Sequence, residues 1–142
     1  WGVLLLFGGG ICLARAFVAS GLSAQVGDAL TTVAALPVFA MMLLLALAVT
    51  FLTEATSNTA TTALLMPVLA AVALAVEIDP LWLMVPAAMS ASCAFMLPVA
   101  TAPNAVVFGS GELPIRRMVR EGFALNLMGA LLISTVAWVL LT

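Results

Sequence analysis

Thr53-Glu54-Ala55-Thr56-Ser57-Asn58-Thr59-Ala60-Thr61-Thr62 sets a carboxylate, hydroxyls and an amide between two apolar arms, Pro37 to Phe51 and Ala63 to Val76. At membrane depth every unsatisfied polar group is costly, so such a stretch calls for water, ions or a polar solute as partner. A spanning helix needs about 20 apolar residues at about 1.5 Å each. Pro37 to Val76 is twice that length and must double back, either as a re-entrant hairpin or as two full crossings. Both return the chain to the side it entered, so charge bias does not separate them.

Hydrophobic residues are 65% of the 142-residue chain and charged residues 7%, against roughly 45–50% and about 25% in soluble domains. The composition is that of a membrane protein. The fold class expected is all-α: a polytopic membrane protein with a helical hairpin and a broken transmembrane helix. The same length ruler places a span at 1–19, the hairpin at 37–76, a proline-interrupted helix at 80–108 and a last span at 120–142. Between 20 and 36, Leu22, Val26, Leu30 and Val33 recur at helical spacing opposite Ser23, Gln25, Asp28 and Thr32, which suits an interfacial helix. Glu77-Ile78-Asp79-Pro80 reads as a short polar turn. Trp1 and the lack of a leader read as part of a longer polypeptide, a C-terminal portion.

Lysine is absent, and Arg116, Arg117 and Arg120 cluster in a loop before the last span. That loop is expected in the cytoplasm, with the C-terminus outside; Arg15, near the outer end of the first span, runs against this assignment. The net charge of −2 is small and dispersed, which argues against nucleic acid as a partner. Cys12 and Cys93 sit in apolar runs and read as small hydrophobes. Gly8, Gly9 and Gly10 follow no strand, and close helix packing explains them better than a phosphate loop. An enzyme is disfavoured: no histidine or lysine can activate Ser57, and two distant cysteines without histidine make no zinc site.

Two features carry chemistry. Pro98 and Pro103 each remove an amide donor and displace a carbonyl four residues back, at Ala94 and Val99. Pro98-Val99-Ala100-Thr101-Ala102-Pro103-Asn104 thereby offers backbone oxygens of the kind that ligate a hard cation, favoured here over a simple proline kink. At the hairpin tip, an arm ending near Thr53 presents carbonyls to a cation, and an arm starting near Asn58 presents amides to an anion. Discontinuous helices of this polarity recur in secondary transporters. A solvated turn capped by Ser57 or Asn58 is the plainer alternative. Glu54 reads equally as a proton or cation site and as a hydrogen-bond partner of the tip.

Ala91-Ser92-Cys93-Ala94-Phe95-Met96-Leu97-Pro98-Val99-Ala100-Thr101-Ala102-Pro103-Asn104-Ala105-Val106-Val107 resembles the signature segment of the divalent anion/sodium symporter family. Thr53-Glu54-Ala55-Thr56-Ser57-Asn58-Thr59 resembles its second Ser-Asn-Thr motif, and Trp1 to Gly10 the span before it. The resemblance covers essentially the whole chain and implies the C-terminal inverted repeat of a homodimeric, elevator-type carrier embedded in the bilayer of a cytoplasmic or plasma membrane. It implies a sodium ion held by Thr53, Thr56, Asn58 and Ala100, and an anionic substrate contacted by Ser57, Asn58, Thr59 and Thr101. Thr56 and Ala102 stand where some members carry smaller or proline residues. The expected function is sodium-coupled transport of a dicarboxylate, citrate or sulfate. A sodium-independent exchanger of the same fold and a non-transporting membrane assembly subunit are the alternatives.

Overall fold

The computed structural model describes residues 1–22, 25 and 36–142, and the regular structure among them is helical. In chain order the helices are α1 (Gly2–Ala19), α2 (Val38–Ala55), α3 (Asn58–Ala75), α4 (Leu81–Ser90), α5 (Ala102–Gly109) and α6 (Ile115–Leu141). Three of them, α2, α3 and α6, are long and apolar enough to cross a membrane. The chain is an all-α, polytopic membrane protein. The expected interfacial helix at 20–36 lies almost entirely outside the described residues.

Local chemistry sets the boundaries. Only Thr56 and Ser57, both extended, separate α2 from α3, and the Ser57 hydroxyl accepts the Ala60 amide to cap the second arm. The turn after α3 is a Schellman closure: Glu77 adopts φ 57°, its amide reaches the Leu74 carbonyl, and the Ile78 amide reaches Ala73. Asp79 then accepts the Leu81 amide at 2.9 Å and starts α4. Pro67 inside α3 leaves the Ala63 carbonyl without its helical donor. That oxygen lies 2.8 Å from where a Cβ on Gly10 would stand, so α1 docks on α3 through a residue that has none.

α4 packs against α2, α3 and α6. Val49, Leu69, Val72, Ala73, Leu83, Ala87 and Ala91 form the core where it meets the two arms. α2 runs antiparallel to α6, from an edge-on Phe39–Trp138 pair (6.2 Å) to Phe51 against Phe123 (5.6 Å). Ala46, Ala130, Ser134 and Ala137 are fully buried between them, the small residues that let membrane helices approach closely.

Two boundaries differ from the sequence reading. The last helix begins at Ile115 rather than near Arg120, because Arg116 to Glu121 are adequate helix formers with no breaker among them; the arginines ride on its first turns. The interruption in 80–108 runs from Ala91 to Thr101. Pro103 does not interrupt a helix but sits in the first turn of α5, where its missing amide costs nothing.

Candidate functional site

The hairpin tip and the break meet. Glu54, Ala55, Thr56, Ser57 and Asn58 face Val99, Ala100, Thr101 and Ala102 across an open cleft of about 670 Å³. Three helix ends converge on it: the C-terminus of α2 and the N-termini of α3 and α5. The first carries partial negative charge and the other two partial positive charge.

The hydroxyls are largely committed to holding these ends in place. Thr53 is fully buried and donates to the Ala91 carbonyl at 2.9 Å, tying the α2 terminus to the start of the break. Thr56 reaches the Leu52 carbonyl (2.8 Å) and the Thr61 hydroxyl (2.7 Å), and Thr62 donates to the Asn58 carbonyl (2.8 Å). Ser57 and Thr101 cap α3 and α5 by accepting the Ala60 and Asn104 amides, both at 3.3 Å. In that role each hydroxyl uses its oxygen and keeps its proton free to donate to an anion in the cleft.

What remains uncommitted is backbone. Among the described residues, no donor reaches the carbonyls of Thr53, Glu54 or Ala55 in the last turn of α2, nor does any acceptor engage the amides of Asn58 and Thr59. The Thr53 hydroxyl also contacts the Asn58 side-chain amide oxygen. That oxygen has a second lone pair, which remains for a cation beside the cleft.

The break is held by side chains from elsewhere in the chain. Glu54, 4% exposed, accepts the Met96 amide at 2.8 Å and the Leu97 amide at 3.0 Å. Asn126 on α6 donates to the same carboxylate at 2.7 Å and accepts the Phe95 amide at 3.3 Å. Asn104 turns back and donates to the Ala94 and Leu97 carbonyls at 2.9 and 3.0 Å. These bonds replace the helical ladder from Ala94 to Leu97 and account for a backbone that runs non-helically through a buried region.

The sequence matches the family model of the sodium:sulfate symporter transmembrane region over residues 1–142. The chain belongs to this family. A sodium-dependent dicarboxylate transporter of Staphylococcus saprophyticus is 47% identical over 99% of this chain and 27% of its own length. Solute carrier family 13 member 2 of Mus musculus is 49% identical over 94% of this chain and 23% of its own. A sodium-dependent dicarboxylate transporter of Staphylococcus aureus is 45% identical over 97% and 26%. The chain thus spans about a quarter of the length of these curated relatives.

Of the residues that the symporter resemblance singles out, Thr56, Ser57, Asn58, Ala100 and Thr101 line one cleft, with Thr53 buried directly behind it. Thr59 does not join them: it lines a separate groove with Ile11, Thr62 and Pro67, on the side of α3 that meets α1. Glu54 bonds the break rather than the hairpin tip. The Ala94 carbonyl, expected free behind Pro98, is taken by the Asn104 side-chain nitrogen, which braces the break. Asn126 escaped the sequence reading, although a lone amide inside an apolar span is the signal that could have found it.

Proposed function

We propose that this chain forms one half of the binding site of a sodium-coupled carrier of divalent anions, with dicarboxylates as the substrate class. The observation that carries this is the convergence of the α2 C-terminus with the α3 and α5 N-termini on one cleft. A sodium ion would take the Asn58 amide oxygen with backbone oxygens of Thr53, Thr56 and Ala100. A substrate carboxylate would take the free amides at the start of α3 and the Ser57 and Thr101 hydroxyl protons. Cation and anion then neutralise one another in a low-dielectric niche, so each strengthens the binding of the other.

The hairpin is re-entrant in this reading. α2 enters beside the C-terminal end of α6, and Glu54 meets Asn126 about one turn inside the apolar run that starts at Gly122. Its tip therefore stops within the hydrocarbon layer near the arginine-bearing end. That end is cytoplasmic and the C-terminus external, and the intact protein works as a homodimer. The relatives' names support the dicarboxylate assignment, while the family's description keeps sulfate as a competitor.

The test is uptake of labelled succinate and sulfate into proteoliposomes holding the intact polypeptide, with and without a sodium gradient. Sodium-stimulated succinate uptake, abolished by Asn58→Ala with the dimer preserved, is the expected result. Undiminished sodium-stimulated flux in that variant would reject the site.

A further inference from the structure

We propose that Asn126 is a positioning residue for the cleft: its amide locks the last helix to the break and aims the Glu54 carboxylate, so hairpin tip, break and α6 hold one geometry. The inference rests on the transport reading above and adds a residue that makes no contact with the cleft itself.

Asn126 is fully buried and both ends of its amide are used, the oxygen on the Phe95 amide and the nitrogen on Glu54. Every partner of Glu54 is a donor: Asn126, Met96 and Leu97. A carboxylate, which only accepts, fits that ring. The side chain at 126 must donate on one side and accept on the other within a fixed reach, and asparagine meets both demands. Remove it, and the carboxylate loses a charge-assisted bond while the Phe95 amide is left without an acceptor, both in a buried setting.

The consequence reaches the cleft through short covalent distance. Glu54 is one residue from Thr53 and two from Thr56, and Leu97 is three residues from Ala100. A shift of the carboxylate or of the Phe95–Leu97 backbone therefore changes the spacing between the two sides of the cleft. Gly122, one turn before Asn126, reinforces the register: a Cβ there would lie 2.3 Å from the Phe95 carbonyl oxygen. α6 thus reads the break at two successive turns of one face.

The experiment is a reciprocal exchange in the intact polypeptide: Asn126→Asp, Glu54→Gln and both together, with Asn126→Leu as the apolar control. Sodium half-saturation and maximal rate are measured in proteoliposomes, and melting temperature on the purified protein. Asn126→Asp sets two carboxylates face to face and is expected to raise the sodium half-saturation by about tenfold, the loss of one charged hydrogen bond. The double variant restores a donor–acceptor pair with reversed polarity and regains much of that loss. Recovery is incomplete, because a glutamine nitrogen turned toward position 126 replaces the oxygen that accepts the Met96 amide.

A double variant no better than the product of the single effects overturns the proposal. So does an Asn126→Leu protein that melts lower yet keeps the wild-type sodium half-saturation, since that is the mark of a merely structural residue. Wild-type vesicles lacking sodium-stimulated uptake would refute the transport reading alone. In that event, non-additive melting of the same variants supports the clamp and additive melting overturns it.

Discussion

Gly122→Ala asks a single methyl group to test how the break is held. An alanine Cβ built on α6 at this position lies 2.3 Å from the Phe95 carbonyl oxygen, 2.6 Å from its carbon and 2.7 Å from the Met96 Cα. All three are backbone atoms, so no side chain can swing aside. Relief requires α6 and the break to part by about 1 Å to reach ordinary van der Waals separation. The Asn126 to Glu54 bond, 2.7 Å as it stands, would then lie beyond hydrogen-bonding distance, and the 3.3 Å bond to Phe95 further still. Overpacking costs about 1–3 kcal/mol and the charged hydrogen bond about 1.5–3 kcal/mol. Alanine returns about 1 kcal/mol through its better helix propensity. The balance is a destabilisation of about 1.5–5 kcal/mol.

Gly129→Ala on the same helix is the matched control, because the nearest atom to its Cβ is the Cys93 sulfur at 3.9 Å, an ordinary contact. It is expected to be neutral or to gain up to about 1 kcal/mol. Melting temperatures of the intact protein in detergent, with uptake in proteoliposomes, separate the two: Gly122→Ala falls in both measures and Gly129→Ala in neither. If Gly122→Ala melts with or above the parent and transports at its rate, α6 does not set the position of the break.

Asn104→Leu strands the Ala94 carbonyl at about 1–3 kcal/mol and takes from Leu97 one of its two donors, the Ala100 amide remaining, so the melting temperature and the maximal uptake rate should both drop. A variant with parental melting would show that the Ala94 oxygen has another donor. Thr101→Ala removes the cap of α5 at about 1 kcal/mol together with a hydroxyl proton facing the cleft; the substrate KM should rise more than stability falls. Thr101→Ser should restore both, and a serine variant as impaired as alanine would argue that the methyl group, not the hydroxyl, matters there.

The long apolar helices, the polar hairpin tip and the existence of a break were legible because each is written locally. Apolar runs, a Ser-Asn-Thr tip and a proline suffice to find them, and the Glu77–Asp79 turn closed as its residues suggested. The limits of the break were not legible. Helix α4 stops at Ser90, eight positions before Pro98, because acceptors for the Phe95, Met96 and Leu97 amides arrive from Glu54 and Asn126, far away in sequence. Pro103 looked like a second interruption and is instead a helix start, since proline inside a helix and proline in its first turn are identical in composition and opposite in effect. Thr59 belongs to the quoted motif yet points to α1, because the residues after a capped turn take up helical spacing and fan around the axis.

The division of labour at the cleft follows from what a membrane interior permits. A polar side chain left idle there is costly, and the site hydroxyls of Thr53, Thr56, Ser57 and Thr101 are all engaged with the helix ends that surround the cleft. The groups left for a ligand are backbone carbonyls at the end of α2, backbone amides at the start of α3, the second lone pair of the Asn58 amide oxygen and two capping hydroxyl protons. Backbone ends cannot be tuned by substitution; they can only be aimed, by the hydroxyls that cap and tie them and, across the cleft, by Glu54, Asn104 and Asn126, which hold the break. Selectivity among divalent anions would then depend less on the chemical type of the side chains lining the cleft than on the spacing that this bracing imposes between its two sides. Substitutions among the braces should therefore alter discrimination between succinate and sulfate, whose anionic oxygens differ in separation, even where no altered residue touches either anion.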